Sequence, residues 1–220
     1  MKYTVFTFCS IFMLLACTGT SGKQAIKEEA NASPIDYMNV KDKSFEELFR
    51  LVEPDEVKKN LTELMVEEDN TVLTAGSESH YNSMAASWEA MFRYFREPKT
   101  FCFLGAKRYT LELIRKHQSY TMSFMPEQYQ SEMFAFGAKS GRDSDKMKET
   151  KLTAVSTPSG NMTYKEARVV IECRLFEITS THPDDFYTED GKNFVENGYN
   201  EGNDYHKLVF GTVTNVWVRK

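Results

Sequence analysis

Two short stretches carry side chains suited to holding an anion. Lys107-Arg108-Tyr109-Thr110 sets two cations and a hydroxyl at the start of a helical pattern. At such a start, unpaired backbone N–H groups and the helix dipole favour a phosphate. Phe136–Lys146, FGAKSGRDSDK, concentrates two glycines, two serines and three cations in one loop. The Ser140 hydroxyl, backbone N–H groups near Gly141 and the Arg142 guanidinium can converge on one anion. Read alone, the first stretch is equally a helix start with exposed cations, and the second a solvated polar turn. A third stretch, Asn82-Ser83-Met84-Ala85-Ala86-Ser87-Trp88, sets small side chains against a large indole. Strands usually prefer branched or aromatic residues. Small ones leave the main chain open, either to a flat ligand or to the close packing of another strand.

Other chemistries find no pattern. The four histidines are dispersed, and none pairs with Cys, Asp or Glu at a zinc-ligand spacing, so no metal site is expected. The acidic run Asp184–Asp204 departs from the EF-hand ligand order and reads as a polar excursion. There is no serine nucleophile elbow, no P-loop and no Gly-rich dinucleotide fingerprint. A net charge of −5 makes nucleic acid a poor partner.

The elements that must position these residues follow from periodicity. Ser44-Phe45-Glu46-Glu47 fits a capping box, and Phe45, Leu48, Phe49 and Val52 mark one helical face. A second helix opens at Pro54 and runs through Leu64. Strands are expected at Thr71–Ala75, Ser83–Trp88, Thr100–Leu104, Tyr120–Phe124, Leu152–Val155, Arg168–Ile178 and His206–Val218, and helices at Tyr109–His117 and Pro126–Phe136. Many short strands with a few interposed helices give a mainly β fold with helices, a β-barrel with helical decorations.

The N-terminus reads differently. Val5–Leu15 is an apolar run too short to span a bilayer comfortably, and it fits the h-region of an export signal. Leu14-Leu15-Ala16-Cys17 resembles the bacterial lipoprotein box, which implies cleavage before Cys17 and lipid on its thiol. The expected organisation is a signal peptide over 1–16, a flexible tether over 17–41 and one domain over 42–220. The expected place is a Gram-negative envelope, at the outer membrane facing the periplasm. Of four cysteines, Cys102 and Cys173 then remain in the domain. They are either a bridge, which an oxidising compartment permits, or two buried thiols acting as small hydrophobes.

Four segments in order resemble the flavin reductase-like family with an FMN-binding split barrel, in particular its flavoredoxin-type branch. They are TAGSESHYNSMAASW (Thr74–Trp88), KRYTLELI (Lys107–Ile114), FGAKSGRDSDKMKETKLT (Phe136–Thr153) and DYHKLVFGTV (Asp204–Val213). The resemblance implies a homodimeric split barrel that binds FMN and passes electrons through it, to or from NAD(P)H or a partner redox protein. It implies that the backbone from Asn82 to Trp88 meets the isoalloxazine. It also implies that Lys107, Arg108 and Thr110 hold the phosphate with Ser140, Gly141 and Arg142. No side chain need act as acid or base. The chain departs from the family at two places. Glu89-Ala90 stands where Gly-Gly is common, and Gly105-Ala106 where Arg-Pro is common. A carboxylate beside the flavin would disfavour an anionic reduced form. Two functions follow: an FMN redox protein, or a non-catalytic envelope module that keeps the barrel and has lost or changed its flavin.

Overall fold

The structure, a computed structural model, describes residues 39–54, 71–144, 146–199 and 205–220. The expected signal peptide and nearly all of the tether lie outside these residues, as does the second helix beyond Pro54. Helix α1 (Phe45–Leu48) opens on the expected capping box. The Glu47 N–H donates to Ser44 Oγ at 3.3 Å, and the Ser44 N–H donates to the Glu47 carboxylate at 2.6 Å. The helix stops there, which corrects the expected continuation through Val52. Phe49–Val52 is strand β1, paired antiparallel with the last strand of the chain. Phe45, Leu48, Phe49 and Val52 are all buried. Their spacing suits a helix, but the edge of that last strand offers backbone partners that a helix would forgo.

The remaining strands are β2 (Thr71–Ser77), β3 (His80–Ala86), β4 (Glu89–Tyr94), β5 (Glu97–Leu104), β6 (Ser119–Phe124), β7 (Ala154–Ser156), β8 (Met162–Tyr164), β9 (Val169–Ser180) and β10 (Lys207–Arg219). The helices are α2 (Tyr109–His117), α3 (Gln130–Ala138), α4 (Lys146–Glu149) and α5 (Glu189–Gly198). Three expectations shift, the first being the Leu152–Val155 strand, which is observed as Ala154–Ser156. The Ser83–Trp88 strand ends at Ala86, and Ser87-Trp88 links it to β4, which the sequence pattern did not reveal. The helix expected from Pro126 begins as a short 3₁₀ turn, Glu127–Tyr129, and becomes α3 at Gln130. The polar excursion after Ser180 contains α5, whose Thr188 hydroxyl caps the first turn.

One antiparallel sheet runs in the order β3-β2-β6-β9-β10-β5-β4, with β1 also on β10. Its terminal strands, β3 and β4, are consecutive in the chain yet sit at opposite ends of this order. The sheet therefore curls around a core and stays open between them. Bulges in the β9–β10 ladder after Phe210 and Val213 help the curl. At Gly211 a Cβ would lie 2.4 Å from Tyr120 Oη and 2.8 Å from the Cys173 Cβ, so only glycine lets β10 pass there. Helix α2 plugs the barrel with Leu111, Leu113 and Ile114. It ends on Gln118 in the left-handed region, after Arg115, Lys116 and His117 complement its dipole. Cys102 and Cys173 are free buried thiols on β5 and β9, opposite Val209 and Val213 of the intervening β10. Burial pushes the Cys173 thiol up to about 12 and raises Cys102 too, so both act as small hydrophobes.

The β7–β8 hairpin crosses the outer face of the sheet. Ser123 and Thr163 share a hydroxyl bond of 2.7 Å, and the Thr121 hydroxyl donates to the Met162 carbonyl at 2.7 Å. The tie between the layers is Glu172 on β9, fully buried. Its carboxylate accepts from Asn161 Nδ2 at 2.9 Å, Asn215 Nδ2 at 2.9 Å, Trp217 Nε1 at 2.8 Å and the Thr157 hydroxyl. A buried carboxylate is tolerable when donors saturate it, and truncating it strands those donors. Glu172→Ala should lower the unfolding free energy by about 2–4 kcal/mol in urea titrations. Glu172→Gln, which keeps one acceptor oxygen, should cost less.

Candidate functional site

A cavity of about 420 Å³ opens where the three anion- and ligand-suited stretches meet, within the range of small-molecule sites. Strand β3 sends Asn82 and Met84 toward it by alternation. Gly105–Arg108 and the first residues of α2, Tyr109 and Thr110, form one wall. The end of α3 and the loop after it, from Gly137 to Gly141, form another. Lys146, at the start of α4, and Gly198, Tyr199 and His206, from the segment around α5, complete the lining. Helix α2 begins after Arg108, which is extended, and no side chain caps its first turn. Its positive dipole end therefore borders the cavity.

Three segments lock together at one point. Asn82 Nδ2 donates to the Thr110 hydroxyl at 2.7 Å, and both residues are buried. A Cβ on Gly141 would fall 1.9 Å from Asn82 Oδ1. The loop backbone thus lies directly on the Asn82 amide, and glycine is required there by space rather than by dihedral angle.

The electrostatics are one-sided. Lys107, Arg108, Lys139 and Lys146 line the cavity, and among the described lining residues none is Asp or Glu, though Glu149 outside the lining pairs with the Lys139 ammonium at 2.7 Å. Lys146 is 6 % exposed. Its ammonium donates to the carbonyls of Phe136 at 2.8 Å and Lys139 at 3.0 Å, at the C-terminal end of α3. Burial, then the charge of Arg108, brings its pKa down to about 8. The same two causes hold His206 below its usual value. His206 Nδ1 and the Tyr199 hydroxyl share a hydrogen bond, and the imidazole ring packs 5.2 Å from that of Trp88.

The candidate residues do not all gather here. Asn82, Met84, Lys107, Arg108, Thr110, Ser140 and Gly141 line the cavity. Met84, Ala85, Ala86, Ser87 and Trp88 line an adjoining recess of about 240 Å³ with Phe103, Arg108 and His206. Ser83 lines neither. It is fully buried, and its hydroxyl bonds those of Thr74 at 2.8 Å and Tyr164 at 2.7 Å. Arg142 lines a separate recess beyond Gly141. Its guanidinium pairs with Glu112, donates to the Lys107 carbonyl at 2.8 Å and lies 4.9 Å from the centre of the Tyr109 ring. Glu89 opens β4 opposite Cys102. Sequence reasoning named none of Tyr109, Lys139, Lys146, Tyr199 or His206 as site residues. The Lys139 and Lys146 signals stood in the quoted loop. Tyr199 and His206 reach the cavity only because the segment around α5 folds back, which no local pattern announces.

Two outcomes test this geometry. Gly141→Ala should push the loop off Asn82 and lower thermal stability, with loss of the Asn82–Thr110 bond visible in a crystal structure. Lys146 gives a pH signature. Unfolded, it holds its proton to the ordinary lysine range; folded and without a ligand, it releases it at about 8. The unfolded state then binds more protons above that pH, so stability rises with pH there, by at most about 1.4 kcal/mol per unit. Lys146→Gln should remove that slope from denaturation curves taken between about pH 8 and 10.

The chain's sequence matches no curated protein. The sequence model of the family described as Flavin reductase like domain matches residues 66–220. Among solved structures, the chain resembles an FMN-binding protein from Thermus thermophilus with bound 1-cyclohex-2-enone. The identity is 22 %, with 67 % of this chain and 68 % of that one covered at a TM-score of 0.52. A flavoredoxin from Methanosarcina acetivorans matches at 19 % identity, 67 % of each chain and a TM-score of 0.51. A putative flavin reductase with a split barrel domain from Shewanella frigidimarina NCIMB 400 matches at 14 % identity, 76 % and 75 % coverage and 0.54. At these identities the likeness shows a shared fold. With most of its length matched, the chain belongs to the flavin reductase-like domain family.

Proposed function

We propose that the cavity holds FMN and that the chain works as a flavoredoxin-like redox protein. The observation that carries this is a lining with four cations and, among its described residues, no carboxylate. Such a lining suits a ligand with a dianionic phosphate. Arg108 and Thr110, at the dipole end of α2, and Ser140 with the backbone at Gly141 are the groups we assign to the phosphate. The small residues Gly105, Ala106, Gly137 and Ala138 leave main chain open on two walls. The Met84–Trp88 recess suits a flat ring system beside the indole. Bound there, FMN would supply the electron-transfer chemistry, and the protein its position and its field. NAD(P)H or a partner redox protein would be the donor.

The rest of the proposal concerns setting. The chain is read as lipid-anchored through Cys17 in a Gram-negative envelope, and as a homodimer. Phe92, Phe101, Phe103 and Phe210 form an aromatic face across β4, β5 and β10 that runs up to Trp88, and a second copy would cover it. A second reading, a non-catalytic module with a different ligand, draws on Glu89 and on Gly105-Ala106, two positions of the wall that carry no cation beside Lys107 and Arg108.

Absorbance of the purified chain after FMN addition and desalting separates the two readings. Retained flavin supports the first, and a folded chain that binds neither FMN nor riboflavin supports the second. Arg108→Ala should weaken FMN by about 1.5–3 kcal/mol, as for a charge-assisted hydrogen bond, with little effect on riboflavin. Arg142→Ala should change FMN affinity less, because Glu112 and the Lys107 carbonyl already hold that guanidinium. Fluorescence titration with both ligands checks all three statements.

A further inference from the structure

Of the four cations that line the cavity, Lys107, Arg108 and Lys139 are exposed and Lys146 is buried. An ammonium carries three N–H donors. Lys146 gives two of them to the carbonyls of Phe136 and Lys139, at 2.8 and 3.0 Å. Both carbonyls belong to the end of α3, where a helix leaves carbonyls unpaired and its dipole favours a cation. That explains where the side chain is held. It leaves the third N–H, which no acceptor takes among the described residues. The neighbouring cations are partnered differently. Lys139 meets the Glu149 carboxylate and Arg142 meets Glu112, whereas Lys146 meets only neutral carbonyls.

A buried ammonium with a spare donor and no carboxylate in contact is short of negative charge. The charged and titratable groups that share the cavity with it do not supply any. Arg108, before α2, repels it. Lys107 adds a further cation, Lys139 is already paired with Glu149, and the segment around α5 brings Tyr199 hydrogen-bonded to His206. Burial and Arg108 accordingly loosen the Lys146 proton, which leaves at about 8 without a ligand. A phosphate monoester reverses these causes. Its second ionisation, near pH 6, is complete before that range, so it arrives as a dianion. It can accept the spare N–H, offset Arg108 and make the lysine hold its proton. We propose that Lys146 is a proton-coupled anion contact: the bound phosphate monoester takes its third N–H, and each ligand that enters an uncharged site carries a proton in with it. This rests on the reading of the cavity as a phosphate site, and it adds a dependence on pH that the exposed cations do not explain.

Calorimetric titration of the full chain with FMN, in buffers of different ionisation heat, counts the protons taken up. The expected uptake is about 0.9 proton per FMN near pH 9 and about 0.1 near pH 7, with FMN bound about tenfold more weakly at the higher pH. His206, held below its usual value, is neutral throughout that range. Riboflavin, with no phosphate, should show neither effect. Lys146→Arg keeps a charge that does not titrate, so it should bind FMN equally at both pH values with no uptake. Lys146→Gln should bind FMN more weakly at pH 7 and also lose the uptake. A lysine that only closes the end of α3 would move stability and leave proton counts alone. FMN binding without uptake in the unaltered chain overturns the proposal and leaves the flavin reading standing. Uptake that persists in both variants, or that riboflavin reproduces, assigns the proton elsewhere and overturns it too; the riboflavin arm decides this even where a variant does not fold. Inorganic phosphate supplies the remaining arm. Lys146-dependent uptake with phosphate in a chain that does not bind FMN upholds the proposal and overturns the flavin, and a folded chain that binds neither overturns both.

Discussion

The bond between Asn82 and Thr110, with Gly141 laid on the same amide, is the constraint on which the site depends. These residues come from a strand, a helix start and a loop that are far apart in the chain. A buried amide that has lost water must find partners, and it finds one in Thr110 while the loop closes over its other end. Once this point is fixed, the dipole end of α2, the Ser140 loop and the β3 backbone border one cavity.

The barrel exists to make that junction possible. β10 pairs with β9, β5 and β1, and its close passage over Tyr120 at Gly211 lets the sheet bend without a gap. The interior is filled by α2, whose buried leucines and isoleucine fix the helix axially. A helix held this way cannot draw its first turn back from the cavity. The split between β3 and β4 falls at Ser87-Trp88, where the Trp88 carbonyl still accepts from the Phe103 N–H at 2.9 Å, and this is where the second recess forms. Glu172 does the corresponding work on the outer face, where one saturated carboxylate joins a hairpin, β9 and β10.

The cost of the arrangement is electrostatic. Four cations share one concave lining, and burial lowers the affinity of Lys146 for its proton. Such a cluster is repulsive when empty and strongly attractive to an anion, because field lines focus in a low-dielectric cleft. Two cations are held by carboxylates outside the lining: Lys139 by Glu149, and Arg142 by Glu112. The ion pair with Glu112 and the contact with the Tyr109 ring draw Arg142 to the far side of Gly141, where it braces the loop.

Helix α2 was legible to the residue, since its apolar spacing, basic last turn and cationic start all point one way. β2, β6, β9 and β10 were legible because alternation and β-branched residues agree in them. Phe49–Val52 was not, because a short apolar run fits either period and only the free edge of β10 decides it. β4 escaped because its aromatic residues face a surface that helices do not cover. The side chains suited to an anion were visible as Lys107-Arg108 and the Ser140 loop. The sequence by itself determined the mainly β fold, the helix start and the chemical types available to the site. Only the tertiary structure decided which of them share a cavity. It turned Ser83 into the core and Arg142 toward Glu112, and it brought Lys146, Tyr199 and His206 in. The reason is that a local pattern sets a residue's face on its own element, whereas packing between distant elements sets what that face meets.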